Sequence, residues 1–401
     1  MVNKLIFIKN IKKNFQLVAF SKVNAESLLT QSNREVIILK FKKSLLFSIA
    51  LIAMLVLLAG CGGGTTEGPA ADENTAVEET MKPITLKYAD FFPNTHPTSI
   101  AMMQHWGKRV EEVTDGLVKV DYYPAGTLLK NGDIYEGVVS GVADVGHDVS
   151  GYNIGRLPVL NAMYVGGIEY KSAKVASYVA RDLVNELKPK ELEDTQLMFI
   201  YGISPGVLMT TKPVRTMEDL KGMQIRASGA NVDTLELLGA VPVGITIAES
   251  YDSMSKGVVD GAILPAEPLK AFKLGEVTKY VTQSSVIYNT VHWCTMNKDV
   301  WNSFPKDIQD AINEVNEEVF MVATELWDKE GGLSQQGLDF AVENGNEIIT
   351  LSDEENARWK EKLKPLQGEY AKSLDEKGID GQAVMAKVVE LTDKYNNEFH
   401  K

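Results

Sequence analysis

The chain has 401 residues, with 54 Asp and Glu against 41 Lys and Arg and a formal net charge of −13. Residues 1–60 carry nine Lys and Arg against two Asp and Glu, so residues 61–401 carry −20, a poor balance for nucleic acid, whose binding rests on neutralised phosphates. Only Cys61 and Cys294 are present, which excludes an internal disulfide framework, and the 341 residues from Cys61 onward suffice for two domains.

Residues 1–35 are basic and show no turn logic. They are expected to be an over-extended gene start with no part in the fold. Residues 36–60 read as a signal peptide. Lys40, Lys42 and Lys43 form its basic region, and "LLFSIALIAMLVLL" (45–58) its apolar core. That core is shorter than the ~20 residues a bilayer span needs. Ala59 and Gly60 then lead to Cys61. Leu-Ala-Gly-Cys resembles the bacterial lipobox, which implies that Cys61 is acylated and becomes the mature N-terminus. The plainer alternative is a membrane anchor with a cysteine on its flank. Residues 61–82 are Gly, Ala, Thr, Glu and Pro with little to bury, and read as a flexible tether.

From Pro83 the pattern changes. "ITLKYADF" predicts a strand. In "THPTSIAMMQHWGKRVEEVTDG", Ile100, Met103, Trp106, Val110 and Val113 share one helical face, and Gly116 marks the stop. "LVKVDYYP" predicts a strand, and "DIYEGVVSGVADVGHDVS" a helix, a Gly turn and a strand over 143–147. Later, "QLMFIYGI", "VLMTT", "MQIRAS" and "AILP" read as strands. "TMEDLKG", "ANVDTLELLGA" and "SYDSMSKGVVDG" read as helices. From Pro305 the pattern is long and helical. Alternating strands and helices argue for α/β architecture with largely parallel sheets.

No CxxC, HExxH, GxSxG or Walker loop occurs. His96, His105, His147, His292 and His400 show no metal-ligand spacing. No metal, cofactor or catalysis is expected. Cys294 reads as a small buried hydrophobe.

"EDLKGMQIRASG" followed by "ESYDSMSKGVVDGAILP" resembles the substrate-binding proteins of tripartite ATP-independent periplasmic (TRAP) transporters, the DctP type. "YYPAGTLLKNGDIYEGVVSGVADVG" and "NKDVWNSFPKDIQDAINE" fit the same family, and the resemblance runs from about Ile84 to about Asn397. It implies a two-lobed periplasmic-binding-protein-like α/β fold with crossing strands and long C-terminal helices. Lobe I is expected over 83–203 with part of 292–401 returning to it, lobe II over 204–291, and a helical hinge with C-terminal helices over 305–401. The family implies a monomer that binds a small organic acid between the lobes. The acid passes to a permease of one small and one large membrane subunit. The expected location is extracytoplasmic, lipid-anchored on the outer face of the cell membrane, or periplasmic in a two-membrane cell. An ABC-type or sensor-linked solute-binding lipoprotein is the alternative, separable by the neighbouring genes.

The family's carboxylate-binding arginine falls at Arg226. Its predicted place near a strand's carboxyl end suits a ligand site, and its planar fork matches a carboxylate. A lone arginine there is otherwise a solvated charge. Many relatives carry a second arginine where Val207 and Leu208 stand, and an asparagine at Leu264. The pocket is therefore expected to prefer a monocarboxylate with an apolar body. Phe91 and Phe92 end the first strand and face the cleft in this topology, with core packing an equal reading. His147 ends the third strand, with Ser150 and Tyr152 beyond it. Glu267 would either hold Arg226 or accept from a ligand hydroxyl or amine. Tyr288 and Trp293 fall on a predicted crossing strand, where tryptophan is more often core.

Overall fold

The computed structural model describes residues 82–229 and 231–400. The expectations for residues 1–81, Cys61 included, lie outside the described residues. The described residues fall within one unit, Glu79–Lys401.

Eleven strands are present among the described residues: β1 Ile84–Asp90, β2 Val118–Tyr123, β3 Val145–Val149, β4 Thr195–Gly202, β5 Val207–Thr210, β6 Gln224–Ala227, β7 Val241–Gly244, β8 Gly261–Leu264, β9 Tyr280–Gln283, β10 Val291–Asn297 and β11 Glu347–Thr350. They form two sheets, ordered β2-β1-β3-β10-β4 and β11-β9-β5-β8-β6-β7. The expected α/β fold of two lobes is present. The sheets are mixed rather than largely parallel, because the crossing strands β5 and β10 run antiparallel to both of their neighbours. The other differences from the sequence reading are local. The third strand starts two residues later than expected. The strand β11 sits inside a stretch that reads as helix, pairing parallel with β9. Within the long helical pattern expected beyond Pro305, residues 353–375 form two helices, Asp353–Leu363 and Pro365–Asp375. Pro365 cannot donate into a continuing helix but is preorganised for a first turn.

The direction of the strands follows from how the chain crosses between sheets. In the first sheet β1 runs parallel to β2 and β3, while β10 is antiparallel to β3 and β4. In the second, β6 is parallel to β7 and β8, while β5 is antiparallel to β8 and β9. The strands β5 and β10 enter directly from a strand of the other sheet, through residues 203–206 and 284–290, whereas β11 arrives by way of helices. A strand arriving from the facing sheet starts at the cleft and runs away from it. The strands parallel to its neighbours end there. Both sheets thus point strand carboxyl ends at one another, the place where α/β sheets gather ligands.

Alternation sorts the second sheet's side chains. Leu208, Ile225 and Ile263 join the large core on one face, and Val207, Met209, Ala262 and Leu264 the smaller core on the other. The helix Lys306–Leu326 packs on β4 and on the helices Gln104–Val113 and Ala173–Leu187. There the buried Trp106 donates from Nε1 to Asn316 Oδ1 at 2.8 Å. The helix Leu333–Glu343 packs instead against Pro268–Ala271 of the second sheet. The helix Gly381–Phe399 returns to Ala173–Leu187. The chain therefore passes between the lobes again after its crossing strands.

Gly206 lies in the first crossing. A Cβ there would stand 2.5 Å from Tyr288 ring atoms of the second crossing. The two crossings can lie this close because Gly206 lacks a side chain. Gly206→Ala should cost about 1–3 kcal/mol of stability through overpacking. Denaturant unfolding of the variant measures it, and an unchanged midpoint would contradict the packing account.

Candidate ligand site

Between the sheets a cavity encloses about 40 Å³ of space that the centre of a water molecule can reach. Its walls come from both sets of strand ends. Phe91 and Phe92 follow β1, Tyr152 follows β3, and Ile203 follows β4. Arg226 and Ser228 stand at the end of β6, and Leu264, Pro265 and Glu267 at the end of β8. Tyr288, Thr290 and His292 flank the start of β10, and Val149, Ile247, Pro268 and Phe272 add to the apolar lining.

Arg226 is 1% exposed. Its backbone is set by pairing with Val243 and Ala262 on either side. Its Nε donates to Ile245 O at 2.9 Å, and one terminal nitrogen donates to Tyr152 Oη at 3.0 Å. Tyr152 comes from the first sheet, so this bond bridges the lobes. No carboxylate pairs with Arg226 among the described residues. The guanidinium has five N–H donors, and among the described residues two are used, both by neutral acceptors. A buried cation so placed is costly unless an anion meets it.

The aromatic wall is layered. The Phe91 and Phe92 ring centroids lie 4.1 Å apart, and Phe92 stacks on His96 at 3.9 Å with planes 7° apart. Behind them sits a buried polar hub. Asp90 accepts from the Phe92 N–H at 3.1 Å and from the Tyr122 hydroxyl. His147 Nδ1 lies 3.0 Å from the same carboxylate, and its Nε2 lies 3.0 Å from Tyr201 Oη. The hub holds the Phe92 backbone in place and supports the ring of Phe91, which stacks on His147 at 5.4 Å.

Of the residues expected at the site, Arg226, Phe91, Phe92, Glu267 and Tyr288 meet at the cavity. Three others stand back from it. His147 lies within β3 and in the hub. Ser150 is buried in the turn Ser150–Tyr152, its carbonyl accepting from Asn161 Nδ2 at 3.0 Å. Trp293 packs edge-on against Tyr135 at 5.4 Å in the core. Tyr288 precedes β10 rather than lying on it. Glu267 does not hold Arg226; its Oε1 lies instead 2.7 Å from Nε2 of His96. Leu264 lines the cavity, whereas Leu208 points to the opposite face of its sheet.

The sequence reading missed His96, His292 and Phe272. Alternation on β10 could have offered His292, since it must face away from Trp293. Nothing local marks His96, which sits between two prolines and gains its role when the β1 and β8 loops meet. Burial, with His147 and His96 nearby, holds the His292 imidazole well below its ordinary pKa. The unfolded chain takes a proton near pH 6.5 that the folded site refuses, so this stability is present above that pH and lost as pH falls below it. His292→Gln should shrink the drop in melting temperature between pH 7.5 and 5.5; an equal drop in both proteins would refute this.

The described residues contain no cluster of three or more His, Cys, Asp or Glu able to hold a metal. Among them, too, no helix is long and apolar enough to cross a membrane. Residues 88–382 match the family described as bacterial extracellular solute-binding protein, family 7, DctP. A curated solute-binding protein of Albidiferax ferrireducens is 26% identical over 268 residues, 65% of this chain and 77% of that protein. A marine metagenome TRAP solute-binding protein, specific for aromatic acid ligands and solved with 3-hydroxybenzoate, is 28% identical. It aligns over 79% of this chain and 99% of that one with a TM-score of 0.74. A TRAP periplasmic protein from Bordetella bronchiseptica, solved with (R)- and (S)-mandelate, is 26% identical. It aligns over 78% of this chain and 100% of that one with a TM-score of 0.70. With two sheets, two crossings and an arginine at the meeting strand ends, the chain belongs to the DctP family, the extracytoplasmic solute receptors of TRAP transporters.

Proposed function

We propose that the protein captures a small monocarboxylate with an apolar, preferably aromatic, body and delivers it to a TRAP permease of one small and one large membrane subunit. The observation that carries this reading is Arg226, buried in the cavity wall and without a carboxylate among the described residues. An acid supplies the missing anion, and its body lies against Phe91, Phe92, Phe272, Ile203 and Leu264. Leu264, at a place where many relatives carry asparagine, offers no partner to a second carboxylate. The relatives solved with 3-hydroxybenzoate and mandelate support the same class.

No chemistry on the ligand is involved in this mechanism. Capture favours the closed arrangement, in which residues from both sheets surround the acid, and that arrangement is what the permease reads. Lobe I is taken as 83–203 with part of 292–401, lobe II as 204–291, and the helices of 305–401 as their shared frame. The receptor works as a monomer. Acylated Cys61 anchors it to the outer face of the membrane, with residues 62–82 as tether.

Removing one partner of a buried ion pair costs about 3–5 kcal/mol, so Arg226→Ala should weaken the best monocarboxylate by roughly 10²–10⁴-fold in calorimetry. Arg226→Lys should also weaken it, since an ammonium lacks the two-pronged fork. Equal affinities, or a neutral or cationic best ligand, would refute the carboxylate reading. Cys61→Ser should free the protein from membranes in fractionation and leave ligand affinity unchanged. Membrane retention of the variant would refute the anchor.

A further inference from the structure

We propose that Glu267, clamped by His96, is a second polar pole of the cavity and selects acids that carry a neutral hydroxyl on their apolar body. This rests on the carboxylate reading above and adds a requirement at a different place in the cavity.

Glu267 lines the cavity and is 6% exposed. It belongs to the second sheet, just after β8, and the first sheet reaches it through His96. The imidazole is held on three sides. Its face stacks on Phe92, Phe272 lies 5.6 Å away, and Nδ1 accepts from the Thr98 N–H at 3.3 Å. A ring whose Nδ1 accepts carries its proton on Nε2 when neutral, and Nε2 is the atom 2.7 Å from Glu267 Oε1. The contact is close but poorly aligned as a hydrogen bond. Oε1 is fully buried and has no aligned donor among the described residues.

A carboxylate has about four acceptor sites. Here at most one meets a donor among the described residues, and Phe92, Phe272, Leu264 and Pro265 are among the residues that line the same cavity. Burying that acceptor capacity against rings is unfavourable unless the occupant brings a donor. A hydroxyl needs one acceptor and leaves the rest of the ligand apolar, which suits this wall. An ammonium needs three acceptors, and beyond the carboxylate itself Phe92, Phe272 and Leu264 supply none. Arg226 and Glu267 therefore read different ends of the occupant, one requiring an acceptor and the other a single donor.

Calorimetry on the wild-type protein compares ring-hydroxylated benzoates and phenylacetates with fluoro acids of the same size, substituted at the same position. At the best ring position the hydroxy acid should bind about tenfold to a hundredfold more tightly, as for a hydrogen bond to a charged acceptor. Glu267→Gln should reduce that ratio, and Glu267→Leu should bring it close to one. The ratio is taken within each protein, so a general loss of affinity cancels, and the wild-type comparison needs no variant to fold. Equal binding of hydroxy and fluoro acids, or a ratio that survives in Glu267→Leu, overturns this proposal alone. Tighter binding of an aminomethyl acid also overturns it, in favour of an ammonium. Failure of every aromatic acid to bind, or equal binding by Arg226→Ala, overturns the carboxylate reading beneath it.

Discussion

A guanidinium with almost no solvent and no paired carboxylate among the described residues is the constraint around which the cleft is arranged. Its cost is bearable only if the surroundings supply acceptors, and the protein supplies neutral ones. The Ile245 carbonyl belongs to the same sheet, and the Tyr152 hydroxyl to the facing one. Because one acceptor comes from across the cleft, satisfying Arg226 also brings the sheets together. Had the partner been an aspartate, the charge would be neutralised and an arriving acid would have to displace it. Neutral partners fix the orientation of the fork and leave its charge available.

The same cleft explains the strand directions. The parallel strands on each side end facing each other, and the two antiparallel strands start in the cleft because they arrive across it. The site therefore draws on the ends of β1, β3, β4, β6 and β8 and on the approach to β10. No single motif contains it. The Asp90 hub stiffens one wall from behind, tying the Phe92 backbone, the His147 ring and Tyr122 to a single buried carboxylate.

Most of the architecture was legible because it rests on periodicity. The strands that became β1, β2, β4, β5, β6 and β8 carry compact apolar runs, and the helix at 104–113 carries its apolar face openly. The strand β11 was not legible. "EIIT" is four residues inside a helical context, and it is a strand because β9 offers an edge. Pro365 was a signal for a break that the surrounding helix pattern obscured. For the site, Arg226 was legible through its segment and its strand-end position, whereas Trp293 was chosen one residue away from His292. On a strand that single step reverses the face. His96 was beyond reach, because its partner lies 171 positions away and nothing near either residue announces the other.

The walls contributed by Ile203, Tyr288 and Thr290 are also the links between the lobes. A receptor's measured affinity combines the strength of its contacts with the fraction of molecules able to close. Substitutions at these positions alter both quantities together. Those at Phe272 or Leu264, on elements that stay within one lobe, alter chiefly the first. Residence time and selectivity are thus inherited jointly from the crossings and separately from the β8 wall. Under the proposed ligand assignment, descendants of this receptor change ligand most cheaply at Leu264 and Phe272, and a change at Tyr288 also resets how long the new ligand is kept.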